Sequence, residues 1–531
     1  MYSDKCLGIR VVVVIQLLGW AAGANILALM GMTSHSHHIW NSVLLYELAE
    51  RGHNLTILSV DLPRPDDKVP ANVSYIHLER AYDFYVAGGA DNFDINALIG
   101  IGDYVTIPIH YDYGLKTAES IAASQGLQQL LNYPPDFEFD VIINDYTLGP
   151  YLLGFAHRFR YPPIIGITAF HNAPITLDFM SNHYFPALVP YFSTLYNASM
   201  SFFQRLDNTL IFAADTIYRR WFYNPQLDEI MRPVFGPDMP SLSDLAKLTK
   251  VSLVNSHPAT NYVEALPPNV VEVGGMQGRP GQPLPKELDE FMRRGKRGAI
   301  LFSLGTNMLP QNVDRETKLK IVEAFRQLPD YNFLWKFDKE YLRDVQMPDN
   351  VLVKDFLPQT DVLAHTSLVL FISHCGGLST QEATWHGVPI VGIPLFLDQY
   401  RNLIQTISAG AAVQVNYLNM TTVQLVSAIR EVAENKKYAQ AMKLRSRRLR
   451  DNPVPPLELA VWWVEYLLRH PDPAHLHSTA KELNYFQSHS LDVIAFLALI
   501  PMLLTYVLQS LCRRSRRTRR RRPSRRHPKH D

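Results

Sequence analysis

Cysteine is scarce in this sequence: Cys6, Cys375 and Cys512 are the three in 531 residues. Three thiols are too few for a disulfide framework. The stability of the fold therefore has to come from a hydrophobic core. Apolar residues make up 47% of the chain and charged residues 19%, which excludes disorder as the main state. The length is too great for one core and suits two domains of ordinary size.

The chain also has almost no net charge, but the balance is uneven. The formal charge is +1, from 51 basic and 50 acidic side chains. Residues 513–531 hold ten Arg, one Lys and one Asp, so the rest of the chain carries 40 basic and 49 acidic side chains, a net charge of −9. A protein-wide nucleic-acid-binding surface is therefore excluded, and no nucleic-acid partner is expected.

The N-terminus has the pattern of a secretory signal peptide over residues 1–24. Lys5 and Arg10 form the positive region, residues 11–20 the apolar run, and Ala-Gly-Ala at 22–24 the small-residue cleavage site. We expect cleavage after Ala24.

A stretch without charge occupies residues 493–511 near the other end. These 19 residues suffice to span a bilayer as a helix, and Pro501 is tolerated in such a helix. The Arg-rich tail, residues 512–531, follows at once, and the positive-inside rule places it in the cytosol. We predict a single-pass type I protein of the endoplasmic reticulum membrane, with Cys375 as its only luminal thiol.

Four sequons for N-glycosylation occur, at Asn54, Asn72, Asn197 and Asn419. Asn54 lies in a predicted strand, so we expect it to be the least used of the four.

Apolar runs alternate with helical periodicity, which predicts an α/β fold with parallel sheets. Residues 26–32 and 55–60 are predicted strands on either side of a helix at 38–51. Further strands are predicted at 140–144, 164–168, 299–304, 332–336, 351–354, 368–373 and 389–394. Further helices are predicted at 314–327, 423–450 and 457–469.

A Gly- and Pro-rich segment at 274–285 is the best candidate for an interdomain linker. It separates residues 25–273 from residues 286–450, and both parts have the alternation of a doubly wound sheet. Residues 451–490 are predicted to hold C-terminal helices and a membrane-proximal segment.

The densest group of glycines and polar side chains lies in residues 356–399. A predicted strand runs into His374 and a glycine pair, where backbone N–H groups at a helix start can hold an anion. Ser379 and Thr380 add hydroxyl donors, and Glu382 can accept from ribose hydroxyls one helical turn further on. Asp398 and Gln399 then follow a strand and are suited to sugar hydroxyls.

This segment, FLPQTDVLAHTSLVLFISHCGGLSTQEATWHGVPIVGIPLFLDQ, resembles the signature of the UDP-glycosyltransferase family. The likeness covers most of the chain. It implies the glycosyltransferase B fold, in which two Rossmann-like domains face a cleft. It also implies that the N-terminal domain binds the acceptor and the C-terminal domain binds the UDP-sugar.

The resemblance further implies which residues bind the donor. Phe356 and Gln359 would contact uracil, and Glu382 the ribose. Asp398 and Gln399 would contact the sugar. The implied diphosphate contacts are His374, Gly376, Ser379 and Thr380, with Ser303, Gly305 and Thr306 of the segment FSLGTN.

Two positions depart from the family's pattern. Phe356 stands where Trp is usual, which offers uracil a smaller face. Cys375 stands where animal members usually have glycine, and we interpret it as a small buried filler rather than a redox group.

The run Ser-His-Ser-His-His at 34–38 lies in a predicted loop that faces the cleft. Three histidines can suggest a metal site, but no carboxylate or thiol adjoins them and the family needs no metal, so no metal or cofactor is expected. The resemblance implies a catalytic His here, for which we prefer His37 over His38, and it assigns the orienting carboxylate to Asp145.

The predicted function is transfer of a hexose, with inversion, from a UDP-sugar to a small lipophilic alcohol or phenol. UDP-glucose is the preferred donor and UDP-glucuronate the close alternative. The aromatics of residues 80–240 suit an acceptor pocket, and equally a core with a membrane-facing surface. Detoxification or hormone inactivation is implied by the resemblance, while homo- and hetero-oligomers in the membrane stay open. The rival hypothesis is a catalytically silent receptor or carrier for lipophilic ligands.

Overall fold

The computed structural model describes residues 23–520, except residues 66, 87–97, 182–183, 307 and 309. Nearly all of the predicted signal peptide and the last part of the basic tail, residues 521–531, lie outside the described residues. The described chain forms two compact units, one ending at Leu476 and the other beginning at His477.

The first unit contains two parallel sheets. The first sheet has seven strands in the order β3-β2-β1-β4-β5-β6-β7. Its strands are β1 (Asn25–Met30), β2 (Asn54–Ser59), β3 (Val73–His77), β4 (Val141–Asp145), β5 (Ile164–Thr168), β6 (Thr249–Val254) and β7 (Val270–Glu272). The central strands β4 and β5 are buried along their whole length, which explains their continuous apolar runs.

The second sheet has six strands in the order β10-β9-β8-β11-β12-β13. Its strands are β8 (Ala299–Ser303), β9 (Asn332–Lys336), β10 (Val351–Lys354), β11 (Leu368–Ser373), β12 (Ile390–Gly392) and β13 (Ala412–Gln414). No helix or strand occurs between β7 and residue 286, where the linker was predicted.

The strand orders show where a site can form. In the first sheet the order reverses direction between β1 and β4, and in the second between β8 and β11. In open parallel sheets, ligands bind in the crevice at the carboxyl ends of strands beside such a switch point. The loops that follow these four strands are therefore the candidates for functional side chains.

Helices cover both sheets. Those that accompany the first sheet are α1 (His35–Glu50), α2 (Asp83–Val86), α3 (Asp103–Ala122), α4 (Gln125–Leu131), α5 (Gly154–Arg158), α6 (Thr176–Met180), α7 (Phe202–Tyr218), α8 (Asn224–Phe235) and α9 (Leu242–Ala246), with a π-helical turn at Arg219–Tyr223. Those that follow are α10 (Lys286–Arg294), α11 (Arg315–Arg326), α12 (Gln359–Ala364), α13 (Gly377–His386), α14 (Asp398–Ser408), α15 (Thr422–Glu434), α16 (Lys436–Arg450) and α17 (Pro456–Arg469).

Two helix predictions were wrong in their bounds. Helix α1 begins at His35 instead of residue 38, because the Ser34 carbonyl already accepts from the His37 and His38 N–H groups. The single helix predicted at 423–450 is two helices. Asn435 is extended and its side chain accepts from the Lys437 N–H, so it ends one helix and caps the next.

The last helix of the first unit returns to the first sheet. Ala460, Val461 and Val464 of α17 are buried in one cluster with Ile26 of β1 and Trp40 of α1. After the second sheet the chain therefore returns to pack on the first sheet.

The second unit contains a long apolar helix. This helix is α19 (Leu491–Arg520), and the short helix α18 (Tyr485–Ser488) precedes it. Within α19, Leu491–Arg514 is long and apolar enough to cross a membrane, and it includes the predicted span. This C-terminal helix fits a single-pass membrane anchor.

Candidate active site

A cleft cavity of about 710 Å³ lies between the carboxyl ends of the two sheets. One wall is formed by the residues after β1, including Ser34 and His37. The opposite wall is formed by residues after β8 and β11, including Gly305 and His374. Both switch points thus open into one space.

His37 lines the first of these walls, in the first turn of α1. It is buried, and its Nδ1 is 3.9 Å from Oδ2 of Asp145 at the end of β4. The edge of the ring meets Phe170, with 5.0 Å between the ring centres. Nδ1 has no hydrogen-bond partner among the described residues. A small rotation of the ring would make the bond to Asp145, a tightening that catalytic pairs often undergo when substrate binds.

Asp145 is held rigidly behind His37. Asn41, one turn along α1, donates to its Oδ2 at 2.9 Å. The N–H and hydroxyl of Thr147 donate to its Oδ1 at 3.0 and 2.6 Å. Burial works against the charge, but His37 and these donors lower the pKa of Asp145 below its ordinary value. The carboxylate therefore stays ionised and can orient an imidazole.

The other two histidines of the run point elsewhere. His38 Nδ1 is 3.2 Å from the Ser59 hydroxyl, and burial lowers the pKa of His38. His35 stacks on His38 and lies 3.6 Å from a carboxylate oxygen of Asp61. Residues 35 and 38 share a helix face because they are three apart, while 37 is turned away from both. Nowhere in the described chain do three His, Cys, Asp or Glu side chains converge as metal ligands would.

The opposite wall is built around His374. A Cβ on Gly305 would lie 2.6 Å from its Nε2, and one on Gly376 would lie 2.4 Å from the same atom. Only glycine fits at either position, so the FSLGTN turn and the start of α13 close on one imidazole. Burial and the nearby Lys336 lower the pKa of His374 to about 4. The ring is neutral at pH 7 and can offer an anion only an uncharged donor.

The next turn of α13 is tied to α12. Gln359 Nε2 donates to Ser379 Oγ at 3.0 Å and to Glu382 at 2.5 Å. Thr360 donates to the other oxygen of Glu382 at 2.7 Å. Burial raises the pKa of Glu382. The predicted uracil and ribose residues therefore form one connected group.

Asp398 and Gln399, the residues predicted to contact the sugar, begin α14 and line the cavity. Asn402 donates to Asp398 at 2.8 Å, while the Gln399 side-chain carbonyl accepts from Leu395 N–H at 2.8 Å. Burial raises the pKa of Asp398 to about 6, although Asn402 and His37 favour its ionised form. Asp398 and His37 line the same cavity.

Thr380 is the one predicted donor residue that does not line the large cavity. Its hydroxyl is buried, has no partner among the described residues, and borders a smaller cavity of about 20 Å³. The other predicted donor residues do line the cleft, namely Ser303, Gly305, Thr306, Phe356, Gln359, His374, Gly376, Ser379, Glu382, Asp398 and Gln399.

The helices that carry the two walls are joined by hydrogen bonds through the linker. Trp40 Nε1 of α1 donates to Gln277 Oε1 at 3.1 Å. Gln277 Nε2 in turn donates to Gln381 of α13 at 3.0 Å. The position of His37 relative to the wall around His374 therefore depends on a continuous chain of polar contacts.

Comparison with known proteins decides the family. The family described as UDP-glucoronosyl and UDP-glucosyl transferase matches residues 138–522. UDP-glucosyltransferase 2 of Dactylopius coccus is 32% identical over 516 residues, 94% of each chain. The chain belongs to the UDP-glycosyltransferase family. UDP-glucuronosyltransferase 2B15 of Homo sapiens is 28% identical over 497 residues, 90% of this glycosyltransferase and 91% of the human chain.

Solved structures show the same fold. The calicheamicin glycosyltransferase CalG4 superposes with a TM-score of 0.57 at 18% identity, over 85% of this glycosyltransferase and all of that chain. The glycotransferase of kitacinnamycin gives a TM-score of 0.53 at 19% identity, over 85% and 99% of the two chains. The predicted glycosyltransferase B fold is confirmed.

Cys375 is one of the two positions at which this glycosyltransferase departs from its family's pattern. Its backbone has a φ of +64°, in the left-handed region that favours glycine. The side chain is completely buried and touches Gly392, and burial raises the pKa of the thiol. These surroundings suit a structural filler.

Four Lys and Arg side chains at the cleft were missed by sequence reasoning, namely Arg64, Lys68, Arg279 and Lys336. Lys336 ends β9 and donates to the Gly305 carbonyl at 3.2 Å, and the end of a strand was a signal that could have found it. Arg64 lies 4.2 Å from the centre of the Phe356 ring and 3.0 Å from His35 Nε2. It sits in a loop with no recognisable pattern.

The four glycosylation sequons differ in how accessible their asparagines are. Asn54, Asn197 and Asn419 are exposed. Asn72 is half-buried, and its amide donates to the carbonyls of Ala49 and His53 at 2.7 and 2.6 Å. Modification of Asn72 would break both bonds, so it is the least accessible of the four.

The buried carboxyl of Asp398 should make stability depend on pH. Its pKa rises from the ordinary 3.8 to about 6, so the folded protein holds this proton more tightly than the unfolded chain. This stabilisation is fully present below about pH 4 and is lost as pH rises through about 6, a difference of about 3 kcal/mol. Thermal unfolding of the unliganded protein from pH 4 to 8 should show this loss, and Asp398→Asn should lack it.

The exposed Asp136 provides the control. Asp136→Asn should keep the wild-type pH profile. A wild-type profile in Asp398→Asn would show that another group titrates in this range.

Proposed function

We propose that this protein is an inverting hexosyltransferase in which His37 is the general base. The observation that supports this most is the pair His37 and Asp145, because its imidazole lines the same cavity as Asp398, the residue predicted to contact the sugar. A neutral imidazole there takes the proton of an acceptor hydroxyl as its oxygen attacks the anomeric carbon. The bond from that carbon to the β-phosphate oxygen breaks, UDP leaves with the electron pair, and the configuration inverts. Asp145 stabilises the imidazolium.

We propose glucose as the transferred sugar. Asp398 is predicted to contact the sugar, and its carboxylate would repel the carboxylate of glucuronate. The nearby Arg401 is occupied by Glu264 and the Pro190 carbonyl, each at 3.4 Å. The 32% identity with a protein named UDP-glucosyltransferase 2, against 28% with a named glucuronosyltransferase, points the same way.

The acceptor is proposed to be a small lipophilic alcohol or phenol. Beyond His37 the cavity is lined by Phe170, Tyr113 and Leu148, which offer an apolar surface.

The predicted signal peptide, the C-terminal apolar helix and the basic tail support an anchored enzyme whose site faces the lumen of the endoplasmic reticulum.

The experiment that tests this function measures UDP release and product mass with a panel of phenols and alcohols. UDP-glucose and UDP-glucuronate are offered separately to the full-length protein. Acceptor-dependent UDP release with a hexose-sized mass increase is expected from UDP-glucose. A hexuronic-acid product alone would overturn the choice of sugar, and no acceptor-dependent release from either donor would favour a silent carrier.

Lys336→Met is expected to weaken UDP binding about 10- to 100-fold, because a hydrogen bond to a charged group contributes about 1.5–3 kcal/mol. Lys336 has no carboxylate partner within the described chain, and burial next to Arg64 lowers its pKa. An anion such as the diphosphate would complete this site. Calorimetric titration with UDP measures the change.

Lys354 is a matched control, since it pairs with Lys336 across the neighbouring strands but bonds the surface residue Glu287 at 2.9 Å. Lys354→Met should bind UDP normally, and uridine should bind all three proteins alike. If uridine binding fell together with UDP binding, Lys336 would act on the fold of the site and not on the phosphates.

A further inference from the structure

Helix α7 and the π-helical turn after it carry an unusual surface. Together they form one helical segment, Phe202–Tyr218 followed by Arg219–Tyr223. Large apolar side chains on its solvent side are exposed, with Phe203 at 76% and Trp221 at 75%. This apolar stripe consists of Phe202, Phe203, Leu206, Leu210, Ile217, Trp221 and Phe222.

The opposite side of the same segment is already used by the fold. Asn208, Ile211 and Asp215 are buried, and Asn208 donates to the carbonyls of Pro186 and Val189 at 2.7 and 2.9 Å. A surface helix in water normally buries one face and presents a polar one. Here the inner face is packed and the outer face is apolar as well. The stripe is therefore an additional apolar surface, separate from the face that packs on the core.

The charged side chains of the segment do not interrupt the stripe. Asp207 accepts from Tyr104 and Tyr196 at 3.0 and 2.7 Å, and Arg205 donates to the Met200 carbonyl at 2.9 Å. Arg220, at the far end, bonds Asp178 at 3.1 Å. A continuous apolar stripe of this length promotes aggregation in water unless another surface covers it.

We infer that the apolar stripe inserts into the interfacial layer of a lipid bilayer. The chain itself brings a membrane near, because only residues 477–490 separate the first unit from the candidate span that begins at Leu491. A row of Phe, Leu and Ile with Trp toward one end is the composition of helices that lie in the membrane interface. The stripe therefore gives the folded unit a second membrane contact besides the C-terminal helix.

The position of the stripe also bears on how lipophilic molecules reach the cleft. Asp215, on the inner side of α7, lines a small cavity with His110 and Phe192, and His110 lines the large cleft cavity as well. One helix thus separates this end of the site from the proposed lipid surface.

The test uses the full-length protein in nanodiscs of phosphatidylcholine, with one chain per disc. Cys512→Ser removes the exposed thiol of the described residues, Cys375 is buried, and Cys6 lies in the signal peptide that is predicted to be cleaved. A single cysteine is then introduced by Leu210→Cys on the stripe or, as the matched control, by Glu229→Cys on the exposed face of α8. Each is labelled with a fluorophore, and quenching by a spin label on the lipid acyl chain is measured.

Quenching at position 210 several-fold stronger than at 229 is the expected result. Equal quenching at the two positions would overturn the inference. A probe at 210 that is shielded only in discs loaded with two chains would assign the stripe to a second copy, and would also overturn it. Leu206→Glu with Leu210→Glu should fold and bind UDP normally but release the segment from the bilayer, seen as faster amide hydrogen exchange in α7.

Discussion

His37→Ala is expected to lower the turnover number about 10²- to 10⁴-fold, the usual contribution of a general base. His37 is the histidine of the run whose Nδ1 lies toward Asp145, at 3.9 Å, while its ring borders the cleft. The residues predicted to bind the donor lie on the other wall, so the KM for the UDP-sugar should stay within a few-fold of wild type. Steady-state kinetics with saturating acceptor measure both constants.

His38→Ala is the matched control, since His38 is the adjacent residue and equally buried but bonds Ser59. It should change the turnover number far less than His37→Ala. The opposite order would move the base to His38, and equal small losses would contradict base catalysis by either residue. Unfolding temperatures of both variants separate a chemical effect from a loss of fold.

Arg219→Met is expected to be the most destabilising change, at about 3–5 kcal/mol, because it leaves buried carboxylates without their cation. Arg219 is completely buried and donates to Asp178 at 2.6 Å and to Asp215. It also donates to the Tyr111 hydroxyl, at 3.2 Å. Burial opposes the charge on Asp178, yet Arg219 and Arg220 lower its pKa. Denaturant unfolding followed by a probe in the first domain measures the loss.

Arg220 allows a matched comparison, since it is the next residue and bonds the same Asp178 carboxylate from an exposed position. An exposed ion pair contributes about 0–1 kcal/mol, so Arg220→Met should unfold close to wild type. Similar losses in the two variants would show that burial is not what makes the Arg219 contacts important.

Prediction of local structure succeeded where burial and chain-local spacing act together. The strands at Ile164–Thr168 and Asn332–Lys336 were predicted with their observed bounds, because fully buried parallel strands are short apolar runs between turn residues. It failed at Asn435, where one side chain caps a new helix inside an otherwise helical pattern. Capping depends on the backbone angles of single residues, which periodicity does not report.

The residues predicted to bind the donor line one wall of the cleft, with one exception. Most of them lie in residues 356–399, and Ser303, Gly305 and Thr306 join them from the loop after β8. Thr380 is the exception, because one step along α13 turns its hydroxyl toward a different cavity. The acceptor wall is assembled from separate loops, and there the family resemblance supplied both the preference for His37 over His38 and the choice of Asp145.

By itself the sequence determined the two-sheet α/β architecture, the family, the segment that forms most of the wall around His374 and the apolar C-terminal helix. Each of these is written in neighbouring residues, through apolar periodicity or a compact motif. Only the tertiary structure placed His37 beside Asp145 and His38 beside Ser59, brought Lys336 and Arg64 to the cleft, and showed that the aromatics of α7 face outward. These facts depend on where a helix starts and on which distant segments pack together, and long-range packing leaves no local pattern in the chain.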